Sequence, residues 1–325
     1  MHTLPRLLCC LLGAIACGAA VSAYAQPQDY PSKPVRLVVP YAPGGAVDFV
    51  GRQLAQRLGE NMNQSVVVDN RPGAGAMIGI DNVAKSPADG YTLLVVDPAL
   101  VINPSLQPKV PYKLTDLQPV SLLTASPLVL TVNPNVPVKD MAGLIAYAKS
   151  KPGKVNFASA GIGTTPHMAG ELLKLRSGAD LTHIPYKGSG PAMADLVAGE
   201  VQMAFSTITA ALPFVKDNRI RALATSGSKR APVLADLHTV AEAGAPGFEV
   251  IFWTSLFAPA GTPPAVLAKV HAETMKALQH PDMRAAMAKV SETPGGTSMN
   301  DTAAFMKTEY TKWSQAVKEG NIRAE

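Results

Sequence analysis

The chain has 325 residues, of which 47% are hydrophobic and 16% charged. That balance supports large buried cores and excludes an intrinsically disordered protein, and the length is more typical of two domains than of one. The 29 lysines and arginines exceed the 24 aspartates and glutamates, but the excess is scattered and forms no basic run, so we expect no nucleic-acid partner.

Residues 1–25 have the form of an export signal. Arg6 precedes an apolar run, and Ala23-Tyr24-Ala25 has the small-x-small form that signal peptidase recognises. We expect cleavage after Ala25 and a mature protein in the periplasm. That protein would not be inserted in the membrane, because no later stretch reaches the roughly 18 uninterrupted apolar residues that a span needs.

The cysteines agree with this interpretation. Cys9, Cys10 and Cys17 all lie in the expected leader, so the mature chain would have no disulfide, thiol nucleophile or thiolate metal site. One alternative stays open: Ala14-Ile15-Ala16-Cys17 loosely resembles a lipobox, which would make Cys17 a lipid-modified N-terminus.

The first glycine-rich turn of the chain joins an apolar strand to a helix. Leu37–Pro40 leads into Pro43-Gly44-Gly45, and apolar residues then recur at helical spacing from Val47. A helix start has unpaired N–H groups and a partial positive charge, and glycine lets an anion approach them closely. Phe157–His167 repeats this arrangement far downstream. The two turns together predict an anion clamp built from two domains.

Strands and helices alternate along the chain in two blocks, which predicts parallel sheets covered by helices. In the first block we expect strands at 35–40, 65–69 and 91–96 and helices at 46–59 and 76–86. In the second we expect helices at 139–150, 165–177, 190–199 and 208–216 and strands at 155–158, 181–185, 201–205 and 219–225. After Asn103-Pro104-Ser105-Leu106 the chain becomes proline-rich and reads as irregular until the strand near 122–132.

Two apolar strands, near 122–132 and 248–258, would cross between the blocks, and helices at 263–279 and 300–319 would return to the first. The expected fold class is α/β, a two-lobed periplasmic-binding-protein (Venus-flytrap) fold of type II-like form. Lobe 1 would comprise 26–125 plus 251–325 and lobe 2 would comprise 126–250. Such lobes enclose a hinged cleft.

Six motifs in succession resemble those of the Bug/TctC family, the extracytoplasmic solute receptors of tripartite tricarboxylate transporters. They span essentially the whole mature chain, so the resemblance does not depend on one short glycine motif. The motifs are Pro40–Asp48, Asn70–Gly75, Pro87–Leu94, Phe157–His167, His183–Gly188 and Ala258–Pro263.

The resemblance implies a receptor that holds one carboxylate of a small ligand between its lobes, largely through main-chain N–H groups and water. It implies no cofactor, and it implies delivery of the ligand by a monomeric receptor to membrane permease subunits. Carried over to this chain, the ligand-binding residues would be Tyr41, Ala42, Gly44, Gly45, Asp48, Ser159, Gly163, Thr164, His167 and Tyr186.

Several of these residues have a structural interpretation as well. Asp48 and Thr164 stand where residues cap helices, His167 lies inside a helix start, and Tyr41 is a plausible core aromatic. Asp97 departs from the family pattern of glycine and small polar residues after the third strand. An acid at the carboxyl end of a parallel strand faces the cleft mouth, so Asp97 would pair with an ammonium or hydroxyl group and disfavour a second carboxylate.

Enzymes are the main rival class. An exported α/β hydrolase would need a Gly-x-Ser-x-Gly turn, and the histidines show no HExxH or paired spacing for a metal. Pro43-Gly44-Gly45 also lacks the G-x-G-x-x-G form of dinucleotide sites. We therefore expect no enzymatic activity. A receptor that signals to a membrane sensor kinase would use the same cleft and stays an alternative.

Overall fold

The computed structural model describes residues 30–324. The expected export signal at 1–25, its cleavage after Ala25 and the alternative at Cys17 lie outside the described residues. Within 30–324, the helices are too short or too polar to cross a membrane.

The described part of the chain alternates strand and helix over most of its length. The strands are β1 (Val35–Val39), β2 (Val66–Asn70), β3 (Thr92–Val96), β4 (Leu117–Val132), β5 (Asn156–Ser159), β6 (Thr182–Pro185), β7 (Met203–Thr207), β8 (Arg221–Thr225), β9 (Ile251–Pro259) and β10 (Thr293–Pro294). The helices are α1 (Ala46–Met62), α2 (Met77–Ala84), α3 (Ala99–Leu106), α4 (Met141–Ser150), α5 (Thr165–Ser177), α6 (Ser189–Ala198), α7 (Ile208–Lys216), α8 (Pro264–Gln279), α9 (Pro281–Ala288) and α10 (Met299–Glu319).

The strands lie in the order β2-β1-β3-β9-β4-β7-β5-β6, and β8 and β10 also pair with β4. At one end β1 pairs in parallel with β2 and β3, and at the other β5 pairs in parallel with β6 and β7. We call the part of the molecule around β1 lobe 1 and the part around β5 lobe 2. The antiparallel strands β4 and β9 join the two parallel sets.

The long strand β4 belongs to both lobes. It pairs with β9 as far as Pro127 and with β7 from Leu128 onward. Proline has no N–H for a sheet hydrogen bond, so it is tolerated where a strand changes its partner. This change of pairing partner lies next to the expected boundary between the lobes, which falls between residues 125 and 126.

The helix α3 was not predicted, because the sequence interpretation assigned no element between the strand at 91–96 and the irregular chain that follows Leu106. Pro104 lies inside this helix and cannot donate to the carbonyl of Leu100. The hydroxyl of Tyr112 donates to that carbonyl instead, at 3.0 Å. A side chain from outside the helix thus satisfies the group that proline leaves unpaired. The short helix α9 was also missed, whereas α5 and α7 have the bounds predicted for them.

Helix α5 packs on β5 through a glycine. A Cβ atom added to Gly170 would overlap the buried ring of Phe157, so this helix lies closer to the sheet than any side chain would permit. Gly59 in α1 is different, because a Cβ there would make only an ordinary contact, 3.4 Å from the carbonyl oxygen of Gln64.

We therefore predict opposite effects for two alanine substitutions. Gly170→Ala should lower the free energy of unfolding by about 1–3 kcal/mol through overpacking, despite the better helix propensity of alanine. Gly59→Ala should raise it by up to about 1 kcal/mol. Urea denaturation followed by circular dichroism measures both values, and equal stability of the two variants would contradict the packing argument.

Candidate functional site

A cavity of about 20 Å³ lies between the two lobes. Of the residues predicted to bind a ligand, Tyr41, Gly45, Asp48 and Asp97 line it. The other lining residues are Ala46 and Val47 of lobe 1, Phe252 of β9, and Ala160, Pro166, Ser189 and Thr207 of lobe 2. It has room for about one water molecule.

Helices from both lobes begin at this cavity. The N-cap residue of α1 is Gly45, α6 begins at Ser189, and the N-cap residue of α7 is Thr207. Each start presents first-turn N–H groups that have no acceptor inside the helix, together with the positive end of the helix dipole. None of the residues that line the cavity is a lysine or arginine. The cavity is therefore suited to an anion held by neutral donors.

Asp48 organises the glycine turn before α1. Its carboxylate accepts hydrogen bonds from the N–H of Gly44 at 3.2 Å, from Nε of Arg52 at 3.0 Å and from Nδ2 of Asn70 at 2.9 Å. Burial by itself would raise the pKa of Asp48, but these hydrogen bonds and the charge of Arg52 outweigh it and lower the pKa. Asp48 is therefore ionised at neutral pH, and its charge is compensated from within lobe 1.

Tyr41 and Asp97 form a buried pair on the same side of the cavity. The Tyr41 hydroxyl donates to Oδ1 of Asp97 at 2.7 Å, and the N–H of Ala99 donates to the same oxygen at 3.1 Å. Burial raises the pKa of Asp97 to about 6, although the hydrogen bonds from Tyr41 and Ala99 act in the opposite direction. This carboxylate has no basic partner, unlike that of Asp48.

The remaining residues predicted in lobe 2 lie in or near the turn before α5 and do not line the cavity. The Thr164 hydroxyl donates to the carbonyl of Gly161 at 2.6 Å, and the N–H of Gly161 donates to Oγ of Ser159 at 3.0 Å. Elsewhere, the Tyr186 hydroxyl donates to Asp195 at 2.7 Å. Hydrogen bonds within lobe 2 thus hold these side chains in place.

His167 supports the same turn from the helix. Its Nδ1 atom accepts the N–H of Gly163 at 3.2 Å, and its ring lies 4.2 Å from that of His183, centroid to centroid. Burial lowers the pKa of His167 to about 4 and that of His183 to about 3, helped by neighbouring positive groups. Both imidazoles are neutral near pH 7. They line a separate polar cavity of about 290 Å³ beside residues 320–323.

The sequence interpretation omitted two polar residues of the cavity from its site. Ser189 belongs to another glycine-rich helix start, Gly188-Ser189-Gly190-Pro191. Thr207 ends β7, two residues beyond the predicted end of that strand. The sequence could have indicated Thr207, because this residue joins a strand to a helix at the carboxyl edge of a parallel sheet.

The lobes meet around the cavity through their backbones. The N–H of Ala42 in lobe 1 donates to the carbonyl of Lys187 in lobe 2 at 3.0 Å. Glycines lie beside this contact: a Cβ on Gly44 would be 3.7 Å from Cα of Gly190, and a Cβ on Gly190 would be 2.5 Å from the carbonyl oxygen of Pro43. We call this contact between 42–45 and 187–190 the glycine seam. The structure is thus a closed form.

We predict that Gly190→Ala prevents this closure. The added Cβ would clash with the Pro43 carbonyl only when the lobes are closed, and the first turn of α6 accepts alanine without backbone strain. Small-angle X-ray scattering should show a larger radius of gyration than for the wild type at saturating ligand, with Gly59→Ala as the matched control. Compaction equal to that of the wild type would contradict the closed contact.

Known proteins are similar to this chain in sequence and in fold. The sequence model of the "Tripartite tricarboxylate transporter family receptor" matches residues 50–322. The structure of the periplasmic binding protein BugD is 31% identical and superposes with a TM-score of 0.88, covering 91% of this chain and 100% of BugD.

Two similar structures contain ligands. Rpa4515 from R. palustris, with adipate, is 34% identical with a TM-score of 0.88, over 90% of this chain and 99% of its own. MatC from Rhodopseudomonas palustris, with bound malate, is 32% identical with a TM-score of 0.85, over 89% of this chain and 100% of its own. These matches confirm the expected two-lobed α/β periplasmic-binding-protein fold.

Proposed function

Because the chain belongs to the family of tripartite tricarboxylate transporter receptors, we propose that it captures a small carboxylate in the cavity between its lobes. Members of this family are solute-binding receptors and not enzymes, as the sequence predicted. Carboxylate binding is supported by the relatives, since Rpa4515 is described with adipate and MatC with malate.

One observation carries the proposal. The starts of α1, α6 and α7 converge on one small cavity from two lobes, and no basic side chain lines it. Hydrogen bonds from neutral donors to a carboxylate are charge-assisted and therefore strong. Since the donors come from both lobes, the ligand binds the closed form more tightly than the open one and shifts the population toward closure.

The predicted residues take different roles in this proposal. Tyr41 and Gly45 face the ligand directly, together with the hydroxyls of Ser189 and Thr207. Asp48 holds the glycine turn in place by accepting the N–H of Gly44. Ala42 and Gly44 form the glycine seam. The remaining predicted residues keep the lobe 2 turn in shape; they are Ser159, Gly163, Thr164, His167 and Tyr186.

The family also suggests where the ligand goes. We propose that the protein acts in the periplasm as a monomer, after cleavage following Ala25, and delivers its ligand to the membrane permease subunits of a tripartite transporter. We further propose that 26–125 with 251–325 and 126–250 are the two moving units, because β4 changes its pairing partner beside the boundary between them.

Ligand binding is tested by thermal stabilisation and calorimetry. A short carboxylate should raise the melting temperature of the purified protein, whereas the amide of the same acid should not, because only the anion exploits the helix starts. Ser189→Ala should weaken carboxylate binding about tenfold by removing one donor. Ser150→Ala, at the distant end of α4, is the control. Equal binding of acid and amide would contradict the proposal.

A further inference from the structure

Two polar groups that line the cavity have hydrogen-bonding capacity that the described residues leave unused. One is the carboxylate of Asp97, which is 2% exposed and lies with Tyr41 on the lobe 1 side. The other is the hydroxyl of Thr207 on the lobe 2 side, in a residue that is also 2% exposed. Both are therefore placed to meet a ligand and shielded from bulk water.

Asp97 has an oxygen available for a donor. The two hydrogen bonds to its side chain, from the Tyr41 hydroxyl and the Ala99 N–H, both go to Oδ1. Among the described residues, no arginine or lysine lines the cavity, and the guanidinium of Arg52 is paired with Asp48. A buried carboxylate without a cationic partner favours a ligand that brings a donor.

The hydroxyl of Thr207 is likewise available to a ligand. Threonine at an N-cap position ordinarily uses its hydroxyl to accept an N–H of the first helical turn. Here the side chain makes no such bond, and Oγ1 is buried without a partner among the described residues. An unpaired buried hydroxyl costs free energy, so a ligand atom that pairs with it stabilises the complex.

We infer that the ligand is a small monocarboxylate that also carries a hydrogen-bond donor, an ammonium or a hydroxyl group, and that Asp97 selects this donor while Thr207 binds the carboxylate. This inference rests on the proposed function, because it assumes that the carboxylate lies at the helix starts. A second carboxylate beside Asp97 would place two like charges in one dry cavity and is disfavoured.

The pH dependence follows from the groups around Asp97. These are Tyr41, Tyr112 and, also in lobe 1, Asp48 with Arg52. Burial raises the pKa of both tyrosines above the usual value and the pKa of Asp48 is lowered, so of these groups only Asp97, with a pKa of about 6, changes charge near neutrality. Affinity for an ammonium-bearing acid should therefore rise from about pH 5 to about pH 7 and then level off, whereas affinity for a diacid should fall.

The test is calorimetry on the full chain with matched sets of acids: unsubstituted, 2-hydroxy, 2-amino and α,ω-dicarboxylic, at several chain lengths. The wild type should bind a donor-bearing acid about tenfold or more tightly than the unsubstituted acid of equal length. Asp97→Asn keeps an oxygen for Tyr41 and should abolish that preference and its pH dependence. Thr207→Val should weaken all the acids about tenfold.

Two substitutions serve as matched controls. Asp140→Asn alters the N-cap of α4, away from the cavity, and Thr274→Val removes another buried unpaired hydroxyl, in α8. Neither should change affinity. Melting of each variant without ligand verifies that it folds.

The outcomes separate the inference from the proposed function. If carboxylates bind but the unsubstituted acids or diacids bind as tightly, or if Asp97→Asn leaves the preference unchanged, the inference is wrong and carboxylate capture stands. If no acid in the sets binds, carboxylate capture is itself overturned and the inference fails with it. Comparison of the amino and hydroxy acids identifies which donor Asp97 accepts.

Discussion

The close approach of backbone to backbone across the glycine seam is the constraint on which the site depends. Ala42 donates to the Lys187 carbonyl, and Gly190 lies against Pro43 without a Cβ to hold the lobes apart. Only at such short range do the starts of α1, α6 and α7 face one small cavity. The seam therefore determines how many helix N–H groups face the same cavity.

Neutral donors suit a receptor that must release what it binds. A buried arginine would need a permanent anion, since leaving such a charge unpaired costs several kcal/mol. Helix starts avoid this difficulty, because water satisfies their N–H groups whenever the lobes open. The acid in the first turn of α1 is likewise compensated by Arg52 and Asn70 within lobe 1, so opening does not leave its charge unpaired.

The sequence was informative wherever a local pattern determines a structure. Helix spacing and glycine-rich turns were sufficient to predict α1, α5 and α7 and the succession of strands along the chain. Successive motifs identified the family. Long-range compensation was not predictable. Helix α3 contains a proline whose lost hydrogen bond is replaced by Tyr112 from another part of the chain, and no local pattern announces that contact.

The candidate site was predicted best in lobe 1 for a related reason. There one turn supplies most of the lining, so Tyr41, Gly45 and Asp48 are close in sequence as well as in space. In lobe 2 the lining comes from the starts of three helices, and only the folded sheet shows that Ser189 and Thr207 face the cavity while His167 faces away. Periodicity indicates which face of an element is buried, but not which buried face meets the other lobe.

A contact beside the strand β4, which joins the lobes, also helps to position α7. Glu292, beside β10, accepts hydrogen bonds from Ser126 of β4 at 3.1 Å and from Thr209 in the first turn of α7 at 3.2 Å. Burial raises its pKa, against the opposing effect of its hydroxyl partners. An acid at a helix start is favourable, so Glu292 ties α7 to the strand that joins the lobes. The chain from lobe 1 thereby fixes the helix whose N-cap, Thr207, lines the cavity from lobe 2.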